Sequence, residues 1–377
     1  MYNSRRVGYF LVLSIICIKF WSYIIEYRLP ALKVLQTKPV SNPQELRVLS
    51  YNVYLRPPMV SHTHGDYKNQ RCSLICKILH LFDVVLLQEV HTCLNFRCNT
   101  IIEEATKQGL PYHVCTYGPS VFSRHISNNG LMILSRYPII DKSSLSFTSS
   151  STYDSIIEKG AIYGQLQLSH GIQVGIVNTH LQSSYYMEDT YAEETRSQQL
   201  KQLRTWMDAK RRTTNCNFIC GGDFNINSGN KIERMQLYEH MGRDLCDAFE
   251  GSKASTIIIP FQKNKQEDTS LCMACRKCST VLNHVHRETP KGNWSPRMKH
   301  VHPEMPTDKL EENSLSTVET TIICVPQRLD YIFHNTELQI LDHQILPMRI
   351  TDTRFPFHQL SDHKAVYTRF KLCSIES

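Results

Sequence analysis

The sequence predicts an α/β fold, a sandwich of two β-sheets flanked by helices, with a hydrophobic membrane segment at its N-terminus. Three observations support this: short apolar runs of strand length recur from residue 46 to residue 370, helical patterns fall between them, and one near-spanning apolar run precedes them all. With 377 residues, 41% hydrophobic and 20% charged, the chain has globular composition and enough length for one large domain or two ordinary ones, which excludes disorder throughout. The net charge of +7 favours anionic partners such as lipid headgroups, phosphodiesters or nucleic acid, without choosing among them.

The leading apolar run covers residues 9–25. Arg5 and Arg6 precede it, Lys19 interrupts it, and Trp21 and Tyr23 suit a membrane interface, so residues 1–28 read as a membrane-associating segment. No small-x-small site follows, only Glu26, Tyr27 and Arg28, which argues against a cleaved signal peptide. Residues 29–43 form a linker punctuated by Pro30 and Pro43. Strands are then expected at residues 46–53, 84–87, 131–134, 163–168, 174–178, 217–220, 329–333 and 365–370. Helices are expected at 71–81, 101–108 and 192–209, and together these elements make a catalytic domain over residues 44–377.

One stretch breaks the rhythm. Residues 261–309 hold nine Lys or Arg against five Asp or Glu, with no strand or helix periodicity, and mark a basic surface insertion within residues 251–322. Inside it, Cys272, Cys275 and Cys278 with His284 and His286 could complete a tetrahedral zinc site, although the second CxxC knuckle usual in such sites is absent. The alternative is a set of reduced or acylated thiols in a loop. The other cysteines of the fourteen are scattered and read mostly as buried thiols. The one glycosylation pattern, at Asn293, is followed after Ser295 by Pro296, which favours a cytosolic face for the domain.

Polar residues gather where strands should end. "RVLSYNVYL" places Asn52 late in the first strand, "DVVLLQEV" ends with Gln88 and Glu89, and "VGIVNTHLQS" ends with Asn178 and His180. "FICGGDFNIN" ends with Asp223 and Asn225, "RLDYIFH" contains Asp330, and "LSDHKAVY" contains Asp362 and His363. Hydrolysis of a phosphodiester needs a divalent cation, hydrogen-bond donors for the developing charge, and a base. Carboxylates and amides are hard oxygen ligands suited to Mg²⁺, with Glu89 as the best direct ligand and Asn52 beside it. Asp223 can orient the attacking water and Asn225 can donate to a phosphoryl oxygen, while Gly221 and Gly222 let backbone crowd close to the substrate. His363 is the candidate base, with Asp330 or Asp362 fixing its tautomer.

These six stretches together resemble the endonuclease/exonuclease/phosphatase family, whose DNase I-like two-sheet β-sandwich is the fold they imply. The resemblance implies metal ligands at Glu89 and Asn52 with Asp362 nearby, phosphate contacts from Asp223 and Asn225, His180 near the leaving group or metal, and Asp330 as partner of His363. "LSYNVYLRPP", "NGLMILSRYPI" and "NTHLQS" are similar to the forms these motifs take in neutral sphingomyelinases. "TYDSIIEKG" sets Asp154 five residues before Lys159, similar to the Asp/Lys pair of membrane-anchored animal members. The resemblance implies a Mg²⁺-dependent phosphodiesterase, with Mn²⁺ a possible substitute, that acts on sphingomyelin in membranes to give ceramide and phosphocholine. Anionic phospholipids are further expected partners and nucleic acid is not. Tyr153, Tyr185 and Tyr186 are candidates to hold the choline. Two alternatives stay open at this point: a nuclease or phosphoinositide phosphatase with the same catalytic set, and an inactive membrane scaffold.

Overall fold

The computed structural model describes residues 44–58, 60, 66–92, 95–116, 127–151, 157–168, 171–184, 189–214, 216–242, 244–252, 254–257, 327–350 and 355–372. The N-terminal segment, the linker, residues 258–326 with the cysteine triplet, Tyr153, Asp154, Tyr185 and Tyr186 lie outside them. The expected strands all form: β1 (Glu45–Asn52), β2 (Val84–Gln88), β4 (Met132–Ser135), β6 (Gly160–Gln167), β7 (Gln173–His180), β8 (Asn217–Asp223), β10 (Asp330–Asn335) and β12 (Ala365–Lys371). Four more accompany them: β3 (Tyr112–Cys115), β5 (Ile139–Ser146), β9 (Leu245–Asp247) and β11 (Gln339–Leu346).

The strands make two six-stranded sheets, ordered β11-β12-β1-β2-β4-β3 and β5-β6-β7-β8-β10-β9. Period-two alternation explains why they stack. On β1, Leu46 and Val48 enter the core between the sheets, whereas Leu49 and Tyr51 enter a separate core outside the first sheet. Helices α1 (Lys68–Cys76) and α2 (Arg97–Lys107) cover that outer face, α2 through Cys98, Ile101 and Ala105 at helical spacing. On the second sheet, Phe218 and Cys220 of β8 face outward onto α3 (Thr190–Thr214) and α4 (Lys231–Met241), where Leu200, Leu203, Met207 and Leu237 meet them. α3 contains the helix expected at 192–209 and overruns it at both ends. The first helix starts earlier than expected and gives way to a 3-10 turn at Leu79–Leu81.

The inner face is graded along the strands. Leu46 and Val48 give way to Ser50 and Asn52, Val84 and Leu86 to Gln88, Val174 and Ile176 to Asn178 and His180. β1 runs parallel to β2, and β7 parallel to β8, so these polar ends share one rim. At the floor of that rim a buried amide pair pins the sheets together. Gln88 Nε2 donates to Asn178 Oδ1 at 2.8 Å, and Asn178 Nδ2 donates to the carbonyls of Leu87 (2.8 Å) and Met132 (2.9 Å). Asn178→Leu would strand those buried partners and is expected to cost about 3 kcal/mol, read from urea unfolding midpoints at unchanged m-value.

Gly221 and Gly222 serve the packing of the protein itself. A Cβ on Gly221 would sit 2.7 Å from Leu86 Cδ1 on the facing sheet, and one on Gly222 would fall on the carbonyl oxygen of Thr179 in β7. Glycine is needed there so that the sheets and the β7–β8 pair can close.

Candidate active site

Both sheets deliver side chains to the graded rim. Asn52 ends β1, Glu89 follows β2, and His363 precedes β12; from the second sheet, His180 ends β7, Asp223 ends β8, and Asp330 opens β10 directly opposite Asp223. Asn52 is the hinge between them: its Nδ2 donates to Glu89 Oε1 at 3.1 Å and to Asp223 Oδ2 at 3.0 Å. Two carboxylates from different sheets are thereby focused on one point. Glu89 holds a left-handed backbone, φ 63°, as does Asn225 at 53°. Such strain costs on the order of 1–3 kcal/mol and concentrates at functional sites. Gly130 accommodates the Glu89 turn, since a Cβ there would lie 3.0 Å from Glu89 Cα and its own φ is +63°.

His363 and Asp330 form the expected pair. Nδ1 donates to Asp330 Oδ2 at 2.9 Å, which leaves Nε2 turned towards Asp223 Oδ2 at 3.7 Å. Burial alone would depress the His363 pKa, but the Asp330 and Asp223 carboxylates outweigh it and hold it well above the ordinary histidine value. Burial pushes the Asp223 carboxyl up to about 6, against the pull of His363. Among the described residues, Asp223, Asp330 and His363 are the one group of three whose ligand-type atoms all lie within 4.8 Å of one another. The His363–Asp330 hydrogen bond accounts for part of that clustering, while Asn52 turns its amide N–H groups to Glu89 and Asp223 and accepts the Tyr54 backbone N–H on Oδ1 at 3.1 Å. Asp330 Oδ1 is buried and has no hydrogen-bond partner among the described residues, which leaves acceptor capacity in the same group.

Asn225 is tied into the rim: its backbone N–H donates to Asp223 Oδ1 at 2.9 Å, and its Nδ2 donates to the Leu181 carbonyl at 3.0 Å. His180 Nε2 lies 3.5 Å from Asp223 Oδ2 and accepts from Lys159 Nζ at 3.0 Å. Burial, reinforced by the Lys159 ammonium, holds its pKa well below the ordinary value, so His180 is neutral and protonated on Nδ1. Lys159 therefore belongs to the site with His180 as its contact, whereas Asp154 lies outside the described residues. Asp362 stands apart from the close group. Half-buried, its Oδ1 lies 3.2 Å from the Ser361 hydroxyl, and its charge bears on Tyr51, Tyr54 and Arg71.

Two further residues take part that the sequence did not single out. The Ser361 hydroxyl donates to the Asn52 carbonyl at 2.6 Å, fastening the approach to β12 onto the end of β1. His91, two residues past Glu89, is buried and donates from Nδ1 to the Asn128 carbonyl at 3.0 Å beside Ser127 Oγ at 3.1 Å. Ser127 bridges Ile157 and accepts from the backbone of Glu158, so His91 braces the segment that presents Lys159. The available signal was spacing: Ser361 lies two before His363, and His91 two after Glu89. Burial drives the His91 pKa down to about 4. A folded value below the unfolded one means the unfolded chain binds more protons between about pH 6.5 and 4, so this contribution is full above 6.5 and is lost as pH falls towards 4. His91→Asn keeps a donor near Nδ1 and is expected to remove that slope. The wild-type minus variant stability difference should change by up to about 3 kcal/mol across the window in urea titrations.

Against known proteins, residues 49–247 match the model of the Endonuclease/Exonuclease/phosphatase family, just over half of the chain. The chain belongs to this family. Among curated relatives, a phospholipase C of Staphylococcus aureus is 26% identical over 202 residues, covering 49% of this chain and 58% of that protein. The chain thus spans little more than half the length of that relative. A sphingomyelinase of Dictyostelium discoideum is 24% identical over 342 residues, 83% of this chain and 70% of that one. Of solved structures, S. aureus β toxin superposes with a TM-score of 0.59 at 20% identity, covering 86% of this chain and 99% of the toxin. A toxin variant with bound magnesium ions gives 0.54 at 19% identity, with the same shares covered. These likenesses establish the two-sheet DNase I-like fold of the family.

Proposed function

We propose that this family member hydrolyses sphingomyelin to ceramide and phosphocholine by direct attack of water on phosphorus, as a Mg²⁺-dependent phosphoric diester hydrolase. The observation behind the reading is the Asn52-centred junction, where Glu89 of one sheet and Asp223 of the other converge beside the His363–Asp330 pair. The likeness to the Dictyostelium sphingomyelinase over most of the chain supports the choice of lipid.

The facing carboxylates fit a hard divalent ion such as Mg²⁺, which Glu89 and Asp223 would hold, with Asn52 joining them through Oδ1 once its amide turns over from the Nδ2 contacts it makes here. When bound, it supplies charge to polarise the phosphoryl oxygens and offsets the carboxylate charge that keeps His363 protonated. His363 takes the proton of the attacking water at Nε2, and Asp330 fixes its tautomer from Nδ1. Asp223 orients that water. Neutral His180 lies against the same Asp223 oxygen as His363, with the Lys159 ammonium behind it, and the two meet the leaving oxygen and the phosphoryl charge. The N-terminal apolar segment keeps the domain at a membrane, on its cytosolic face.

The test is an assay of the full-length chain, with and without Mg²⁺, for phosphocholine release from sphingomyelin vesicles, nicking of plasmid DNA and phosphate release from phosphoinositides. Mg²⁺-dependent phosphocholine release alone is expected. Nicking or phosphoinositide cleavage without lipid hydrolysis would overturn the reading.

A further inference from the structure

The most exposed apolar side chains are not spread evenly over the molecule. Phe96 is 82% exposed, Tyr191 75%, Ile232 70% and Met235 63%, and Val60 follows at 41%. Each lies in a segment that leaves the rim of the candidate site: Val60 after β1, Phe96 between β2 and α2, Tyr191 at the start of α3 after β7, Ile232 and Met235 on the first turns of α4 after β8. The other exposed large apolar residues among those described lie at the opposite end. Leu81 precedes β2, while Tyr112, Ile140 and Leu341 lie level with the first residues of β2, β7 and β1. Those four are 40–52% exposed. Among the described residues, every large apolar side chain above that range belongs to the rim.

Three of the four prominent ones are mounted rigidly. Arg196 on α3 pairs with Glu233 on α4, both buried, and Arg196 Nη1 also donates to the Gln182 carbonyl at 3.1 Å and to Ser184 Oγ at 2.8 Å. The segment after His180 and the beginnings of α3 and α4 are thereby locked together, with Tyr191, Ile232 and Met235 projecting outward. Asn230 caps α4 by accepting from the backbone of Ile232 at 3.1 Å and Glu233 at 3.3 Å. Glu233 turns inward, and the consecutive outward positions are Lys231, Ile232, Arg234 and Met235. Two basic and two apolar side chains side by side suit a layer in which phosphate groups lie directly above acyl chains.

We propose that this rim docks the protein on a phospholipid bilayer, with Phe96, Tyr191, Ile232 and Met235 entering the interfacial layer and Lys231 and Arg234 meeting lipid phosphates. The proposal rests on the sphingomyelin reading for its choice of a bilayer. It adds an orientation: the domain itself faces the membrane with its site, independently of any hold by the N-terminal segment. Isolated prongs on three separate segments suit a fluid surface, whereas a protein partner would call for one continuous groove.

The test uses the full-length chain on phosphatidylcholine vesicles with brominated or ordinary acyl chains, and reads quenching of tryptophan emission above the background of the three native tryptophans. Phe96→Trp and Ile232→Trp, made separately at exposed positions, report the rim; Leu81→Trp reports the opposite end. The added rim emission is expected to fall about twofold or more on brominated vesicles, while that of Leu81→Trp stays near its value on ordinary ones. Quenching of both rim variants no stronger than that of Leu81→Trp would overturn the proposal. The readout needs no turnover, so uncleaved sphingomyelin with the contrast intact refutes only the substrate reading, and cleavage without the contrast refutes only the docking.

Discussion

Glu89→Gln leaves the fold standing and lowers turnover by about a thousandfold, the size expected when several kcal/mol of transition-state charge stabilisation are lost. Glutamine matches glutamate in shape, and its Oε1 can still accept from Asn52 Nδ2, so the link between the sheets survives. What disappears is one of the two charges focused on the junction. Melting in chelator should therefore move little or upward, because a buried carboxylate near Asp223 has been neutralised. Mn²⁺ affinity, measured by calorimetry, should fall along with the rate. Near-normal turnover with intact cation binding would remove Glu89 from the metal site.

His363→Ala is expected to lower turnover by about 10²- to 10⁴-fold through loss of the base. Its effect on stability has a sign of its own. The folded pKa of His363 is raised above the unfolded value, so its contribution is fully present below about pH 6.5 and is lost as pH rises through the folded pKa. The variant's deficit should accordingly be largest in mildly acidic buffer and shrink under alkaline conditions. His363→Gln, which can still donate to Asp330, should recover part of that deficit and none of the rate. A Gln variant as active as wild type would show that His363 only braces Asp330.

The strands that escaped the sequence reading share one property. β3, β5, β9 and β11 are the four outer strands of the two sheets. An outer strand is hydrogen-bonded on one side only, and β5 and β11 alternate between exposed and half-buried positions, so they contain no apolar run to read. The central strands, buried on both faces, were legible. α4 was missed for a related reason: Ile232 and Met235 point outward while Leu237 and Met241 point inward, which erases the helical period. In the site, Asn52, His180, Asp223 and Asp330 were legible because strand alternation sets them on the inner face at one end, and Glu89 and His363 because they flank strands at that same end, Glu89 in a left-handed turn. Neither Ser361 nor His91 was, because each works through a backbone carbonyl, and such a partner leaves no trace in side-chain pattern.

The position of β1 sets a timetable. It lies between β2, made soon after it, and β12, the last of the described strands, with Leu46 opposite Phe370. The Ser361 hydroxyl that fastens Asn52 lies 309 residues away along the chain. Contacts of that separation form late and slowly. While the nascent chain lacks β12, the middle of the first sheet has no partner on that side of β1. The His363–Asp330 pair therefore cannot form until synthesis has passed residue 363, long after Glu89 and Asp223 have entered the chain.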